Sequence, residues 1–299
     1  MIVISEVMDP QGLTLLEGLD VHYDPQLHSQ RRELLQWTRD AEALIVRNQT
    51  QVNQELIESA TGLKAVGRLG VGLDNLDMPR LAQRKIPVIV PRGANAISVA
   101  EYVLASLMSF RRHLPALREQ VRSGQWVRDM SGTEIAGTCL ALVGFGSTGK
   151  ALAHRAEALG LRLKVYDPLA TDVPARWAAS SLTELFADAD AVSLHVPLTA
   201  QTRHLINAYS LRDLPAHAVL INTARGELVD ETALLDALIA GELGGALLDV
   251  RESEPPVSGD ALTALANVWT TPHIAGLTQN SQVAIARTVS EGIKQRLAG

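Results

Sequence analysis

Three polar residues of complementary chemistry follow predicted strands in the C-terminal half of the chain. They are Arg225 in the segment Asn222–Asp230, Glu254 in Leu248–Pro255 and His273 in Thr271–Gly276. A histidine exchanges a proton near neutral pH, and a neighbouring carboxylate orients its ring and stabilises the imidazolium. An arginine holds a carboxylate through two parallel hydrogen bonds. Together these types predict acid-base chemistry on a substrate that carries a carboxylate.

Each of the three residues also has a purely structural alternative. His273 could end a strand after Pro272, Arg225 could be a loop cation on the surface, and Glu254 could be a solvated acid. In an open α/β sheet, however, the carboxyl ends of the parallel strands line one ligand crevice. Because all three residues follow strands, we favour a shared site over three unrelated surface positions.

A glycine-rich turn precedes these segments. Gly144-Phe-Gly146-Ser-Thr-Gly149 follows the apolar run Leu140–Val143 and comes before a helical pattern over Lys150–Leu159. The first glycine permits a tight turn, the second lets backbone approach a pyrophosphate, and the third lets helix and strand pack closely. The motif alone is weak, but a strand and a helix flank it, so it predicts a dinucleotide site.

Asp167 ends the next strand, at the distance expected for a carboxylate that accepts both hydroxyls of the adenosine ribose. Such a carboxylate repels a 2′-phosphate, and no Arg or Lys follows within several residues to receive one. The sequence therefore predicts NAD rather than NADP. The alternative is an ordinary glycine-rich turn followed by a loop acid.

Short apolar runs alternate with helical patterns through most of the chain, which predicts an α/β protein with two doubly wound parallel sheets. The expected strands of the first unit are Ile2–Ser5, Ala43–Val46, Leu63–Gly67 and Pro87–Val90, with helices over Val52–Ala60 and Met78–Arg84. Those of the second are Cys139–Val143, Arg162–Tyr166, Ala191–His195, Ala218–Asn222, Gly245–Asp249 and Val268–Thr271. Long helices are expected over Asn95–Phe110, as a connector between domains, and over Thr278–Leu297.

Composition narrows the class of protein. The chain has 299 residues, enough for two domains, and 46% of them are apolar. A net charge of −6 gives no reason to expect nucleic acid or an anionic membrane as a partner. The single cysteine, Cys139, allows no intramolecular disulfide and is expected to be a core residue. With no signal-like or membrane-spanning segment, we expect a cytoplasmic protein.

The ordered motifs resemble the D-isomer-specific 2-hydroxyacid dehydrogenase family, in its phosphoglycerate dehydrogenase-like branch, over nearly the whole length. Besides the segments above, the resemblance includes Gly67–Asp77, Asn95–Glu101 and His195–Thr199. It implies a smaller flavodoxin-like substrate domain of residues 1–94 and 277–299. Residues 95–276 would form the Rossmann-type NAD domain, including the interdomain helix. The protein would form a homodimer through this NAD domain.

The resemblance also implies a reaction, which is hydride transfer between NAD and C2 of a small 2-hydroxy acid. His273 would be the acid/base residue, Glu254 its support and Arg225 the ligand of the substrate carboxylate, helped by backbone at Val71 and Gly72. No metal is expected. Asp249 would face the nicotinamide amide, and the full set implied for the cofactor is Gly144, Gly146, Ser147, Thr148, Gly149, Asp167, Pro197, Thr202, Thr223, Ala224, Asp249 and Gly276.

The identity of the acid depends on Arg47, which follows the strand Ala43–Val46. In the phosphoglycerate dehydrogenase branch an arginine in this context reaches the distal anion of the substrate, and Arg68 offers a second positive charge. A substrate with two anionic ends, such as 3-phosphoglycerate or 3-sulfolactate, would use them. Alternatively, Arg47 pairs with a nearby acid such as Glu42 or Asp74.

Two other functions stay open at this stage. An NAD(H)-sensing interaction protein of the same fold would carry extra disordered or docking segments, and the sequence has none. A formate- or phosphite-type dehydrogenase is the other, although Glu254 suits an oxo-acid reductase better than the glutamine of formate dehydrogenases. Because the sequence stops at Gly299, directly after the last predicted helix, we expect no regulatory C-terminal domain and no serine feedback.

Overall fold

The computed structural model describes residues 1–298, which form alternating strands and helices. The strands are β1 (Ile2–Ile4), β2 (Val21–Tyr23), β3 (Ala43–Val46), β4 (Ala65–Arg68), β5 (Val88–Ile89), β6 (Cys139–Val143), β7 (Arg162–Tyr166), β8 (Ala191–Leu194), β9 (Val219–Asn222), β10 (Gly245–Leu248) and β11 (Val268–Thr270). The helices are α1 (Pro10–Thr14), α2 (Arg31–Thr38), α3 (Gln54–Ser59), α4 (Met78–Gln83), α5 (Ala96–Arg111), α6 (Leu114–Arg122), α7 (Ser147–Ala158), α8 (Leu182–Phe186), α9 (Ala208–Leu211), α10 (Glu231–Ile239) and α11 (Gln279–Ala298). Short 3₁₀ helices span Leu27–Ser29 and Gly226–Leu228.

The chain divides into two compact units. The first contains Met1–Asn95 and the segment from Leu277 onwards, and the second contains Ala96–Gly276. Asn95, which the sequence groups with the second domain, lies in the first unit. Within residues 1–298 no helix has both the length and the apolar character needed to cross a bilayer.

The first unit is built on a parallel sheet with the strand order β2-β1-β3-β4-β5. This is the flavodoxin-like order, as predicted. β1, β3 and β4 are buried along their whole length, because helices cover both faces of a parallel sheet. Helix α11 packs so closely on β4 that a β-carbon at Gly67 would lie 2.6 Å from Cγ1 of Val289.

Strand β2 was not predicted. Its sequence, Val-His-Tyr, has no run of apolar residues, and its side chains are only partly buried because it lies at the edge of the sheet. The parallel pairing of Val21 with Ile2 places it there. An edge strand with one neighbour needs less apolar surface than a central strand, so hydrophobic patterning does not reveal it.

The second unit has a parallel sheet of order β11-β10-β9-β8-β6-β7. Every strand predicted for this unit is confirmed to within one residue at each end. An isolated parallel bridge between Val165 and Ala178 extends the sheet beyond β7. The chain reverses its direction of winding between β6 and β8, which is where a Rossmann-type sheet opens its ligand crevice.

Helix α5 and strand β6 belong to the core of this unit. The helix predicted over Asn95–Phe110 is confirmed as α5, which buries Val103 and Leu107 against α7. Cys139 at the start of β6 is buried, as predicted, and burial raises the pKa of its thiol to about 11. At neutral pH it is therefore an uncharged core residue.

Candidate active site

The glycine turn between β6 and α7 is closed by backbone contacts at two of its glycines. Gly144 has a φ of 102°, and a β-carbon there would lie 2.6 Å from the carbonyl oxygen of His195. A β-carbon at Gly149 would lie 2.3 Å from the carbonyl oxygen of Gly144. Both glycines are thus required by the packing of the turn itself, as the fingerprint predicts.

Gly146 is different, because a β-carbon built there would meet no atom within 4 Å. Its φ of −73° is open to any residue. The missing side chain therefore leaves space at the start of α7, where Gly146 is the N-cap and Ser147 and Thr148 begin the first turn. A helix start of this kind presents backbone N–H groups and a positive partial charge, so the residues present fit a pyrophosphate.

The carboxylate of Asp167 lies against the same turn. Oδ2 accepts a hydrogen bond from the N–H of Phe145 at 2.7 Å, and Oδ1 accepts from Leu169 and Ala170 at 2.9 and 3.2 Å. A carboxylate offers about four acceptor sites. In this arrangement about one site is left for a ligand, fewer than the two expected for a pair of ribose hydroxyls.

The remaining residues predicted around the cofactor lie in loops of the second unit. The hydroxyl of Thr202 donates to the carbonyl of Pro197 at 2.7 Å, which ties that loop together. Thr223 and Ala224 follow β9, and within residues 1–298 the buried hydroxyl of Thr223 has no hydrogen-bond partner. A buried hydroxyl loses its hydrogen bonds to water, and here no protein hydrogen bond replaces them. A hydrogen bond to a polar ligand atom would therefore be favourable. Gly276 is the last residue of the unit.

His273 and Glu254 meet beyond the ends of the neighbouring strands β11 and β10. Nδ1 of His273 lies 2.9 Å from Oε2 of Glu254. About half of each side chain is open to solvent, at 49% and 40%. When Nδ1–H donates to the carboxylate, Nε2 keeps its lone pair and can accept a proton from a substrate. The pair can therefore act as an acid/base couple.

Asp249 fixes the backbone that carries His273. His273 has a φ of 56°, in the left-handed region that residues other than glycine seldom adopt. The buried Asp249 carboxylate accepts the next two N–H groups, from Ile274 at 2.8 Å and Ala275 at 2.7 Å. It also accepts from the hydroxyl of Thr271 at 2.6 Å. Both oxygens of Asp249, predicted to lie at the nicotinamide amide, are thus engaged by the His273 loop.

Tyr102 on α5 continues this network and was missed by the sequence reasoning. Its hydroxyl lies 2.5 Å from Oγ1 of Thr271. Burial raises the pKa of the Tyr102 phenol, so it stays protonated at neutral pH. Because the Thr271 hydroxyl already donates to Asp249, the phenol donates to Thr271. The available signal was a phenol within a largely apolar helix, because a buried hydroxyl needs a hydrogen-bond partner.

Arg225 follows β9 in extended backbone and is half-buried. Its Nη1 donates to the carbonyl of Ala224 at 2.6 Å. The next residue, Gly226, lies directly on the loop after β10, where a β-carbon would stand 1.9 Å from the carbonyl carbon of Arg251. The loops that carry Arg225 and Glu254 are therefore in backbone contact.

Arg251 is a second residue that the sequence reasoning missed. Its side chain is only 4% exposed and forms ion pairs with Glu231 at 2.8 Å and Asp260 at 3.0 Å. These partners raise the pKa of Arg251 further above its ordinary value, and the Arg251 hydrogen bond lowers the pKa of Asp260 to about 2. The backbone N–H of Arg251 donates to Oε1 of Glu254 at 3.1 Å.

In the first unit, a buried acid holds the backbone around Arg47. The carboxylate of Glu6 accepts the N–H groups of residues 47–50 at distances between 2.7 and 3.1 Å. Burial acts to raise the pKa of Glu6, but these N–H bonds outweigh it and hold the pKa below the ordinary value. The loop is thus built around a fixed internal anion.

The Arg47 guanidinium has no carboxylate within ion-pair distance among residues 1–298. Glu42, one of the predicted alternative partners, pairs instead with Lys64. Val71 and Gly72 follow β4, the parallel neighbour of β3. Their loop and Arg47 therefore both lie at the carboxyl ends of the strands.

Comparison with known families and proteins agrees with this geometry. Residues 104–275 match the family model described as D-isomer specific 2-hydroxyacid dehydrogenase, NAD binding domain. The (S)-sulfolactate dehydrogenase of Chromohalobacter salexigens is 41% identical over 99% of this chain and 98% of its own length. The hydroxypyruvate reductase of Thermotoga maritima is 34% identical over 98% of this chain and 97% of its own. A D-3-phosphoglycerate dehydrogenase of Synechocystis is 34% identical over 100% of this chain, which spans 54% of that protein.

Solved structures share the fold. The TT0316 protein from Thermus thermophilus superposes with a TM-score of 0.92 at 34% identity, covering 100% of this chain and 97% of its own. A D-lactate dehydrogenase from Aquifex aeolicus, complexed with NAD and lactic acid, gives a TM-score of 0.86 at 26% identity, covering 100% of this chain and 96% of its own. The predicted α/β architecture and the predicted family are both confirmed.

Proposed function

The chain belongs to the D-isomer-specific 2-hydroxyacid dehydrogenase family, and we propose that His273, Glu254 and Arg225 carry its reaction. It is an NAD-dependent oxidoreductase that acts on a 2-hydroxy acid. The observation that carries the assignment of residues is the 2.9 Å hydrogen bond between His273 Nδ1 and Glu254 Oε2. It leaves Nε2 of the histidine for the substrate, beside the loop of an arginine that suits a carboxylate.

Each side chain then has one role in the reaction. When bound, NAD supplies the nicotinamide ring that exchanges a hydride with C2 of the substrate. Nε2 of His273 takes the proton of the C2 hydroxyl during oxidation and gives a proton to the carbonyl oxygen during reduction. Glu254 orients the ring through Nδ1 and stabilises the imidazolium. Arg225 holds the substrate carboxylate, so that C2 is fixed beside His273.

We assign cofactor binding to the second unit. Gly146, Ser147 and Thr148 would bind the pyrophosphate at the start of α7, and Asp167 the adenosine ribose. The negative charge of Asp167 repels the 2′-phosphate of NADP and so favours NAD. Lys150 on the first turn of α7 could have attracted that phosphate, but it is already paired with Asp172 at 2.5 Å. The cofactor domain would then be residues 96–276, with residues 1–95 and the segment from Leu277 onwards as the substrate domain. The further residues that we assign to the cofactor are Pro197, Thr202, Thr223, Ala224, Asp249 and Gly276.

For the substrate, we propose a 2-hydroxy acid with a second anionic group, such as 3-sulfolactate or 3-phosphoglycerate. Arg47 supports this proposal, because its charge has no carboxylate partner among residues 1–298. The names of two relatives point the same way, a sulfolactate dehydrogenase and a phosphoglycerate dehydrogenase. Backbone N–H groups at Val71 and Gly72 are our further candidates for binding the substrate.

We also propose that the protein is a homodimer. Helix α6 buries none of its residues within the chain. Leu114, Val121 and Trp126, in α6 and the segment after it, are exposed at 50%, 53% and 79%. So much apolar surface on one stretch of chain is typical of an interface, and a second copy would cover it.

One experiment tests the central assignment. The purified protein is mixed with D and L forms of lactate, glycerate, 3-phosphoglycerate and 3-sulfolactate, and with formate and phosphite, using NAD and NADP in turn. NADH or NADPH absorbance reports the rate, and NADH binding is measured separately by fluorescence. We expect the highest kcat/KM for one enantiomer of an acid with a distal anion, with NAD. His273→Ala should lose at least about 10²-fold in kcat with unchanged NADH binding.

The outcomes separate the alternatives. Wild-type activity in His273→Ala would remove the proton-transfer role. NAD reduction with formate or phosphite, and with none of the hydroxy acids, would support the formate-type alternative. Binding of NADH without turnover of any acid would favour a sensing role, and equal kcat/KM with NADP would contradict the role of Asp167.

A further inference from the structure

The guanidinium of Arg251 is fully satisfied inside the second unit. Nε and Nη2 donate to the two oxygens of Glu231 at 2.8 and 2.9 Å. Nη1 and Nη2 donate to the two oxygens of Asp260 at 3.0 Å each, and Nη1 also donates to the hydroxyl of Thr263 at 3.3 Å. An arginine has five N–H donors in a rigid plane, and here each has an acceptor. The side chain is therefore held in one orientation.

Glu231 holds the backbone of the same turn as well as the side chain. Its Oε1 accepts the N–H of Glu252 at 2.9 Å, in addition to the Nε–H of Arg251. Glu231 is the first residue of α10, where the positive end of the helix favours a carboxylate. The turn after β10 is thus anchored to the start of a helix.

This anchored turn carries the assigned active-site residues. The N–H of Arg251 donates to Oε1 of Glu254 at 3.1 Å, while Oε2 of Glu254 bonds Nδ1 of His273 at 2.9 Å. The carbonyl group of Arg251 lies against Gly226, next to Arg225, with no room for a β-carbon between them. One residue therefore contacts both the loop of the acid/base pair and the loop of the substrate-binding arginine.

We propose that Arg251 is a positioning residue, whose side chain, clamped by Glu231 and Asp260, aims its backbone N–H at Glu254 and so holds Glu254 against His273. The inference rests on the proposed roles of His273 and Glu254. A buried ion cluster contributes little net stability compared with apolar side chains of the same volume, because desolvation offsets most of the attraction. The ion cluster here fixes the position of Glu254 relative to His273. Its loss should therefore lower kcat.

The test is a double-mutant cycle of Arg251→Lys and Glu254→Gln. Lysine keeps the charge but has three donors on one point and cannot hold both carboxylates in a plane. We expect Arg251→Lys to lower kcat about tenfold or more, while the Kd for NADH stays within about twofold. In the Glu254→Gln background the same substitution should cost less than about twofold, because the group through which it acts is already lost.

Controls keep the inference falsifiable. Arg80→Lys in the first unit alters another arginine paired with two acids, Glu58 and Asp77, and should leave kcat unchanged. If Arg251→Lys does not fold, Glu231→Gln replaces it and should give the same pattern with a smaller loss. Equal losses of kcat in both backgrounds, or a lower thermal midpoint with wild-type kcat, would overturn the positioning role. Failure of the proposed function would show earlier, as an inactive wild type or a fully active Glu254→Gln.

Discussion

Nδ1 of His273 and Oε2 of Glu254 lie 2.9 Å apart, although the residues are 19 positions apart in the chain. A second pair of the same kind, His204 and Glu252, lies at 2.6 Å but is bonded through Nε2 of the histidine. The two pairs therefore differ in the nitrogen that they leave open. His273 keeps Nε2 at the tip of its ring for a substrate, and the neighbouring loop supplies Arg225.

This difference gives a prediction with a built-in control. Glu254→Gln removes the charge that stabilises the His273 imidazolium, and kcat for the best 2-hydroxy acid should fall on the order of 10²-fold. Glu252→Gln makes the same change in the other pair and should leave kcat within about threefold of wild type. Steady-state kinetics of both variants, with NADH binding as the test of folding, decide the matter. Equal effects at the two positions would mean that the pairs have the same, structural role.

The three glycines of the nucleotide turn separate a ligand role from a packing role. Gly146→Ala adds a methyl group where no atom lies within 4 Å, so the stability should fall by no more than the roughly 1 kcal/mol by which alanine is the poorer N-cap. The methyl group should obstruct the pyrophosphate and weaken NADH binding roughly tenfold or more. Gly149→Ala forces a β-carbon to within 2.3 Å of the Gly144 carbonyl oxygen and should cost about 1–3 kcal/mol of stability.

Fluorescence titration with NADH and urea unfolding measure the two effects independently. Unchanged NADH affinity in the folded Gly146→Ala variant would show that this end of α7 does not bind the cofactor.

Much of this site could be predicted from sequence, because its elements are local. The strand, glycine turn, helix and Asp167 follow one another along the chain. Arg225, Glu254 and His273 each come after a strand that is visible in the sequence as an apolar run. The network around Arg251 could not be predicted, since Glu231 lies 20 residues before it. The two charges meet only because the fold brings the start of α10 to the turn after β10, and a sequence pattern does not show such a contact.

The same limit explains two differences in detail. Asp167 and Asp249 are acids at strand ends, and sequence reasoning aims both at the cofactor. In the structure each acid uses acceptor sites for backbone N–H groups of a neighbouring loop, that of Phe145 for Asp167 and that of Ile274 for Asp249. A carboxylate close to free backbone N–H groups of a tight turn accepts hydrogen bonds from them. The spacing of residues in the sequence does not show how many acceptor sites those hydrogen bonds occupy.

Arg47 should decide between substrates of different charge. In Arg47→Ala the kcat/KM for an acid with a distal phosphate or sulfonate should fall by about 2 kcal/mol or more, roughly 30-fold. For lactate or glycerate, which have no second anion, the change should stay within about threefold. Arg31→Ala, which removes an arginine paired with Glu55 in the same unit, is the matched control. Equal losses for both classes of acid would exclude a distal-anion role.

The apolar surface around α6 should govern assembly. Trp126→Asp together with Val121→Asp places two charges on the proposed dimer interface, and light scattering should report a mass near half that of the wild type. Ile239→Asp, at an equally exposed apolar position at the end of α10, should leave the mass unchanged. A wild type that is already monomeric at micromolar concentration would contradict the homodimer.

Asp260 gives a prediction about pH and stability. The hydrogen bond from Arg251 lowers the pKa of Asp260 from an ordinary 3.8 to about 2 in the folded protein. A carboxyl group whose pKa is lower when folded contributes stability above its ordinary pKa and loses it as the pH falls towards the folded value. Asp260→Asn should therefore be less stable than wild type at pH above about 4, and the difference should shrink between about pH 4 and pH 2.

Urea midpoints from near-ultraviolet circular dichroism, taken in steps from neutral pH to about pH 3, measure this difference between wild type and Asp260→Asn. Asp236→Asn, at an exposed position on α10, is the control and should follow the wild type throughout. A gap between wild type and Asp260→Asn that stays constant below about pH 4 would show that the Arg251–Asp260 pair is not what lowers the pKa of Asp260. A gap that closes would tie the acid stability of the second unit to the same cluster that holds Glu254 in place.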